Sequence, residues 1–193
     1  MRDFIDDIKL MAALLAVLWA ILVIDQVLFG GRLFYLGIVP REARGLIGIP
    51  LAPLLHASFR HLMANSVPFF TLGLMVLRHG RRVFVAASVA IILLGGFATW
   101  CIAPAYSVHA GASALIFGWF GFLVVSAWRV PRLATVAVAL LAILWYGLGI
   151  LFGLSPLQIG VSWQGHLCGL IAGGLAGFGM PQSRVLPAAR LRR

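Results

Sequence analysis

Six long apolar runs constrain the fold of this chain more than any other feature of its sequence. Each run is close to the roughly 17–25 residues that an α-helix needs to cross the hydrocarbon core of a bilayer. The runs cover residues 9–28, 61–77, 83–102, 113–128, 133–152 and 164–180. The pattern predicts an all-α, polytopic membrane protein with six transmembrane helices.

The composition agrees with a membrane protein and argues against a soluble domain. The 193 residues are 62% hydrophobic and only 10% charged. A net charge of +10 is compatible with a nucleic-acid partner, but the basic residues cluster between the apolar runs, so we expect a lipid bilayer as partner and no nucleic acid. We divide the chain into a short cytoplasmic N-terminus (1–8), a membrane domain (9–180) and a basic cytoplasmic tail (181–193).

The distribution of Lys and Arg predicts the orientation. The side of the membrane that holds both termini would carry eleven of these residues, and the opposite side would carry four. Because cytoplasmic loops are enriched in Lys and Arg, both termini should be cytoplasmic. The loops 103–112 and 153–163 contain neither residue and should be external.

With this topology, four polar side chains fall at one depth, just below the outer surface. His61 and Asn65 begin the second span, Ser113 begins the fourth and His166 begins the sixth. Polar residues inside a bilayer are costly and are usually retained for function. The set of four therefore predicts a functional site rather than four separate helix caps.

Ser113 follows Gly111 at the predicted start of a helix, where backbone N–H groups have no intrahelical partner. Gly111 permits a tight turn, and the free N–H groups suit an oxyanion. A serine beside a histidine is a nucleophile with its general base. An ordinary N-cap serine is the alternative.

His166 shares one helix face with Gly169, Gly173 and Gly177. Small residues at this spacing let another helix approach closely. Packing this face against the fourth span would bring His166 to Ser113, with Phe117 one turn away and able to stack on the imidazole. Alternatively, the glycines serve packing alone and the histidine is a hydrogen-bonded interface residue.

His56, His61 and Asn65 form a third group, in which His61 and Asn65 share a helix face. Both can donate hydrogen bonds to an oxyanion. A metal or haem site that uses His56, His61 and His166 is the competing hypothesis, since histidine is a common ligand. The second, fourth and sixth spans contain no acidic residue, which argues against a hydrolytic metal site, so we expect no metal.

The same shortage of carboxylates predicts a Ser–His dyad without a third acidic member. Asp25, at the end of the first span, is the one possible exception, and an interfacial role is expected for it. His109 is expected to be a plain residue of an external loop.

These motifs resemble those of the rhomboid family of intramembrane serine proteases. The matching segments are His-Ala-Ser-Phe-Arg-His-Leu-Met-Ala-Asn (56–65), Gly-Ala-Ser-Ala-Leu-Ile-Phe-Gly (111–118) and Gly-His-Leu-Cys-Gly-Leu-Ile-Ala-Gly (165–173). The resemblance implies a rhomboid-like bundle in which Ser113 is the nucleophile and His166 the general base. It also implies that His61 and Asn65 bind the oxyanion and that His56 braces the site.

Three departures from the family pattern bear on the site. Ala114 replaces the glycine that commonly follows the nucleophile, and Phe117 replaces a frequent tyrosine. A Trp-Arg pair is often present in the first external loop, whereas this chain reads Gly-Leu-Ile-Gly-Ile-Pro at 45–50, so the loop should be anchored differently.

The sequence thus predicts an integral protein of the plasma (inner) membrane of a bacterium. It would cleave transmembrane protein substrates near the outer face through an acyl-enzyme, without a cofactor. A catalytically inactive rhomboid-like protein that binds membrane clients is the alternative, and Ala114 is the feature that favours it.

Overall fold

All six predicted spans are helical in the computed structural model, which describes residues 2–158 and 160–180. The eight α-helices are α1 (Arg2–Ile24), α2 (Ala43–Leu51), α3 (Phe59–Leu77), α4 (Arg81–Ala90), α5 (Gly96–Ile102), α6 (Ser113–Arg129), α7 (Leu133–Gly153) and α8 (Trp163–Gly179). A π-helical turn, Asp25–Phe29, extends α1, and another, Ile91–Gly95, joins α4 to α5 into one span. The protein is an all-α membrane bundle.

The helix ends differ from the predicted ends by a few residues for local reasons. Helix α3 begins at Phe59 because the Ser58 hydroxyl accepts a hydrogen bond from the His61 N–H, which caps the first turn. Ser162 caps α8 in the same way, by accepting from the Gly165 N–H. Helix α1 already begins at Arg2, so most of the predicted N-terminal segment is helical and continuous with the first span. The predicted basic tail, 181–193, lies outside the described residues.

Within the described part of the chain, three helices are long and apolar enough to cross a membrane by length and composition alone, namely Phe4–Phe29, Arg81–Ile102 and Leu133–Gly153. Helix α6 is shorter, with 17 residues, and more than half of them are buried by its neighbours. Trp119 and Phe122 of α6 are almost completely buried, in a core that also includes Met11 of α1 and Leu72 of α3.

Helices α6 and α8 touch along their backbones. A Cβ atom at Gly169 or Gly173 would collide with the carbonyl oxygen of Ala114 or Gly118, and one at Gly177 would lie 2.7 Å from the Phe122 oxygen. Only glycine permits this approach, because any side chain would force the two helices apart. The repeated close contact sets the register between the start of α6 and the start of α8.

The first loop is a folded layer rather than an irregular connection. It contains α2 and two 3₁₀ turns, Arg32–Leu36 and Ala52–Leu54. Arg41 has a left-handed backbone (φ 59°), and its guanidinium donates to the carbonyls of Cys101 (3.0 Å) and Ala103 (2.8 Å). The Trp100 indole N–H donates to the Glu42 carbonyl at 2.9 Å. An arginine in the loop and a tryptophan of α5 therefore anchor the loop to the end of α5.

Candidate active site

Ser113 and His166 meet where α6 and α8 begin. The distance from Ser113 Oγ to His166 Nε2 is 2.8 Å, although the two residues are 53 positions apart in the chain. The Ser113 hydroxyl makes no capping bond to its own helix, for which Ala112 is the N-cap residue. The close packing of α6 against α8 therefore brings a hydroxyl and an imidazole into direct hydrogen-bond contact.

A second hydrogen bond fixes the tautomer of His166. Its Nδ1 lies 2.8 Å from the carbonyl oxygen of Gly153, the last residue of α7. Because a carbonyl can only accept, Nδ1 carries the proton and Nε2 is left to accept from the Ser113 hydroxyl. This is the arrangement that a general base requires, and a backbone carbonyl occupies the position that a carboxylate holds in a Ser-His-Asp triad.

Among the described residues, no hydrogen bond joins Asp25 to His166. Asp25 is buried, and its Oδ1 accepts a hydrogen bond from the Leu33 N–H at 2.9 Å. Its carboxylate therefore secures the end of α1 to the first loop.

Phe117 stacks on His166. The ring centroids are 4.1 Å apart and the planes are inclined by 17°. Gly153 completes this contact, because a Cβ atom there would collide with Phe117 Cζ and lie 3.2 Å from His166 Nδ1. The lack of a side chain at Gly153 lets the end of α7 approach the imidazole.

His61 and Gly111 lie beside the serine. Gly111 has φ 125°, a conformation that side chains disfavour, and a Cβ atom there would be 2.9 Å from His61 Nε2 and 3.6 Å from Ser113 Oγ. Asn65 is one turn further along α3 and is buried, and its Nδ2 has no hydrogen-bond partner among the described residues. A buried, unpaired amide donor is costly unless a ligand or intermediate uses it.

His56 precedes α3 and is almost fully buried, with 1% of its surface exposed. Its Nε2 accepts a hydrogen bond from the Ala112 N–H at 3.2 Å, and its ring meets that of His61 edge-on at 5.1 Å. Burial, helped by the neighbouring His61 and partly opposed by the Leu54 backbone, lowers the pKa of His56 to about 4. A neutral imidazole therefore supports the backbone immediately before Ser113.

The histidines are not arranged as a metal centre. Within residues 2–158 and 160–180, no three side chains of His, Cys, Asp or Glu are grouped closely enough to hold an ion. The ring nitrogens of His166 are both occupied by hydrogen bonds to Ser113 and Gly153.

A cavity opens beside the hydrogen-bonded serine and histidine. Ser113 and His166 line it together with Ala114 and the polar residues His109 and Ser162. The rest of the lining is mostly apolar and includes Ile38, Ile49 and Ile92. Ala114 is part of this lining, and the Ser113–His166 hydrogen bond is formed beside it.

His109 lies in a loop, as expected, but it is buried and its side chain is hydrogen-bonded. It is 7% exposed, and its ring nitrogens lie 2.7 Å from Ser107 Oγ and 2.5 Å from Ser162 Oγ. Its backbone forms an isolated antiparallel bridge with Ile38 of the first loop. Ser162 is 53 positions away, so no local pattern in the sequence indicated this contact.

Fold and site together define a class of protein, the helical membrane bundles that hold a hydrogen-bonded serine–histidine pair between central helices. The Rhomboid domain family matches residues 43–183. The chain therefore belongs to the rhomboid family. Helices α3, α6 and α8, which carry the candidate residues, all lie in the matched segment.

Similar proteins come mainly from mycobacteria. An uncharacterised protein of Mycobacterium tuberculosis is 43% identical over 171 residues, which cover 84% of this chain and 70% of that protein. Another from Mycobacterium leprae is 40% identical over 141 residues, 69% of this chain and 55% of that protein. A Bacillus subtilis protein named as a candidate rhomboid protease is 38% identical over 69 residues, 35% of each chain.

Proposed function

We propose that this protein is an intramembrane serine endopeptidase that cleaves transmembrane segments of other proteins. The observation that carries the proposal is the 2.8 Å contact between Ser113 Oγ and a His166 imidazole whose other nitrogen is held by the Gly153 carbonyl. Membership of the rhomboid family supports the same activity.

In the proposed acylation step, the Ser113 oxygen attacks the scissile carbonyl while its proton moves to His166 Nε2. The carbonyl oxygen becomes an oxyanion, and the donors of His61, Asn65 and the Ser113 backbone stabilise it. His166 then gives the proton to the leaving amine as the C–N bond breaks. In the second step, water attacks the acyl-enzyme with His166 as base, and the Ser113 hydroxyl is restored.

The charge distribution supports an orientation with both termini in the cytoplasm, and hence a site near the outer face of a bacterial inner membrane. The reaction as written needs no cofactor, since a hydroxyl, an imidazole, hydrogen-bond donors and water account for every bond made and broken. Substrates would be membrane-spanning proteins that reach the cavity from the lipid.

A fluorophosphonate probe tests the proposal directly in lipid or detergent. Labelling should occur on Ser113, disappear in Ser113→Ala and fall by about 10³-fold or more in His166→Ala, because the general base is lost. Ser126→Ala is the matched control, since Ser126 is buried in the same helix away from His166. Unchanged labelling of Ser113→Ala would refute the assignment.

Ala114, which lines the cavity, favours a second candidate function, in which the protein binds membrane clients without cleaving them. That protein would retain its fold, fail to react with the probe and still bind a transmembrane helix. Ala114→Gly would then restore labelling if the methyl group alone blocks the reaction.

A further inference from the structure

His109 is a buried polar residue that the proposed mechanism does not use. It lies in the connection between α5 and α6, four residues before Ser113, and its side chain reaches the cap of α8. Burial lowers its pKa, which favours the neutral ring. A neutral imidazole has one donor and one acceptor, so the two neighbouring hydroxyls must be oriented differently.

The hydrogen bonds around His109 have only one consistent direction. The Ser107 hydroxyl donates to the Pro104 carbonyl at 2.6 Å, so Ser107 Oγ must accept from His109 Nε2–H. Nδ1 is then unprotonated and accepts from the Ser162 hydroxyl. Ser162 Oγ in turn accepts from the Gly165 N–H at 3.3 Å. These bonds form a hydrogen-bond relay that runs without a break from the first turn of α8, through the imidazole of His109, to the loop that precedes α6.

This relay connects the segments that carry both reacting groups. The Ser162 carbonyl accepts from the His166 N–H at 3.0 Å, so Ser162 holds the residue that bears the imidazole. His109 itself lies two residues before Gly111. Its N–H donates to the Ile38 carbonyl and its carbonyl accepts from the Ile38 N–H, both at 2.9 Å. Movement of His109 would shift the cap of α8 and the approach to Ser113 relative to each other.

We infer that His109 is a positioning residue that acts through Ser162 to hold His166 at reaction distance from Ser113. This inference rests on the proposed protease function. Hydrogen bonds in a cavity with apolar walls are stronger than in water, and a displacement of about 1 Å at a reacting group can cost about 10²-fold in rate. Because Ser162 is bonded to the backbone of His166 and Ser107 is not, the hydrogen bond from His109 to Ser162 should affect the reaction rate more than the bond to Ser107.

Two isosteric variants separate those links. The side-chain oxygen of His109→Asn can occupy the position of Nδ1 and accept from Ser162, whereas His109→Gln reaches the position of Nε2 and contacts only Ser107. The labelling rate of Ser113 should fall less than about threefold in His109→Asn and about tenfold or more in His109→Gln and His109→Ala. The same order should appear in the kcat for a transmembrane substrate, with KM nearly unchanged.

A double-mutant cycle supplies the second measurement. If His109 acts through Ser162, the loss in Ser162→Ala combined with His109→Gln should equal the larger single loss rather than the product of the two. Independent effects that multiply would overturn the inference. Equal rates for the Asn, Gln and Ala variants, whether unchanged or lowered together with thermal stability, would also overturn it. So would a faster rate in His109→Gln than in His109→Asn, because a space-filling role favours the larger Gln side chain. A wild-type protein that fails to label would instead refute the protease function itself, and this inference with it.

Discussion

Helices α6 and α7 contribute to the same site but are held in very different ways. Ten of the 17 residues of α6 are buried, and its backbone lies directly against α8. Only four of the 21 residues of α7 are buried, and large apolar side chains such as Leu144 and Leu148 are exposed on its surface. Ser113 therefore sits on a tightly packed helix, whereas the carbonyl bonded to His166 sits on a helix whose surface is largely exposed.

This difference separates two requirements of the proposed chemistry. The distance between Ser113 and His166 depends on the glycine contacts between α6 and α8. The tautomer of His166 depends on the carbonyl of Gly153, at the end of α7. A side-chain hydrogen bond of 2.6 Å between Thr71 of α3 and Tyr146 of α7 also joins α7 to the bundle. Disruption of the contact between α6 and α8 should therefore impair folding. Disruption of the hydrogen bond between Gly153 and His166 should reduce activity before it impairs folding.

The largest effect should come from the contact between α6 and α8. Gly173→Ala places a methyl group against the Gly118 carbonyl and should lower the free energy of unfolding by about 3 kcal/mol, as overpacking does. Gly174→Ala is the matched control, because its methyl group would meet only Val125 Cγ2 at 3.4 Å. Equilibrium unfolding in detergent measures both. Equal stability of the two variants would show that α6 and α8 are not locked by their backbones.

The next largest effect should come from the end of α7. Gly153→Ala drives a methyl group into Phe117 and displaces the carbonyl from His166 Nδ1, so kcat should fall by about 10²-fold while the bundle stays folded. The control is Gly149→Ala, one turn earlier, where no atom lies within 4 Å and alanine stabilises a helix by up to about 1 kcal/mol. Full activity in Gly153→Ala would mean that the carbonyl does not orient the base.

The same contrast explains what could be predicted from the sequence. The six helices followed from apolar runs, which are local patterns, and the Ser113–His166 contact followed from small residues spaced along one helix face. The Gly153 carbonyl has no sequence signature, because every residue carries a carbonyl group. The Arg41 anchor and the Ser162–His109 bond join distant segments whose pairing depends on how the loops pack. Sequence analysis therefore predicted the contact between Ser113 and His166 and missed the groups that hold the two side chains in place.

His56 gives a smaller, pH-dependent effect on the side of α6. Its pKa is lowered to about 4 in the folded protein from 6.5, so the unfolded chain binds more protons between these values. Its contribution to stability is complete above pH 6.5 and is lost as the pH falls from 6.5 towards 4. His56→Gln keeps an acceptor for the Ala112 N–H but does not titrate. The loss of stability between pH 7 and pH 5 should shrink by on the order of 1–2 kcal/mol in this variant, and an unchanged loss would rule out His56 as a source.

The smallest effect should come from Phe117, the side chain that lies between the two regions. It belongs to α6, stacks on the imidazole of α8 and has its Cζ against Gly153 of α7. Phe117→Leu retains apolar volume but loses the aromatic pair, which contributes about 1 kcal/mol, so the labelling rate of Ser113 should fall by about fivefold. Phe120→Leu, on the same helix, should leave the rate unchanged.

Phe117→Tyr sharpens the test, because its hydroxyl would extend from Cζ towards Gly153. If the end of α7 is held closely, this variant should be slower than wild type although stacking is retained. If α7 yields easily, it should match wild type, and the orienting role of the Gly153 carbonyl would be correspondingly weak.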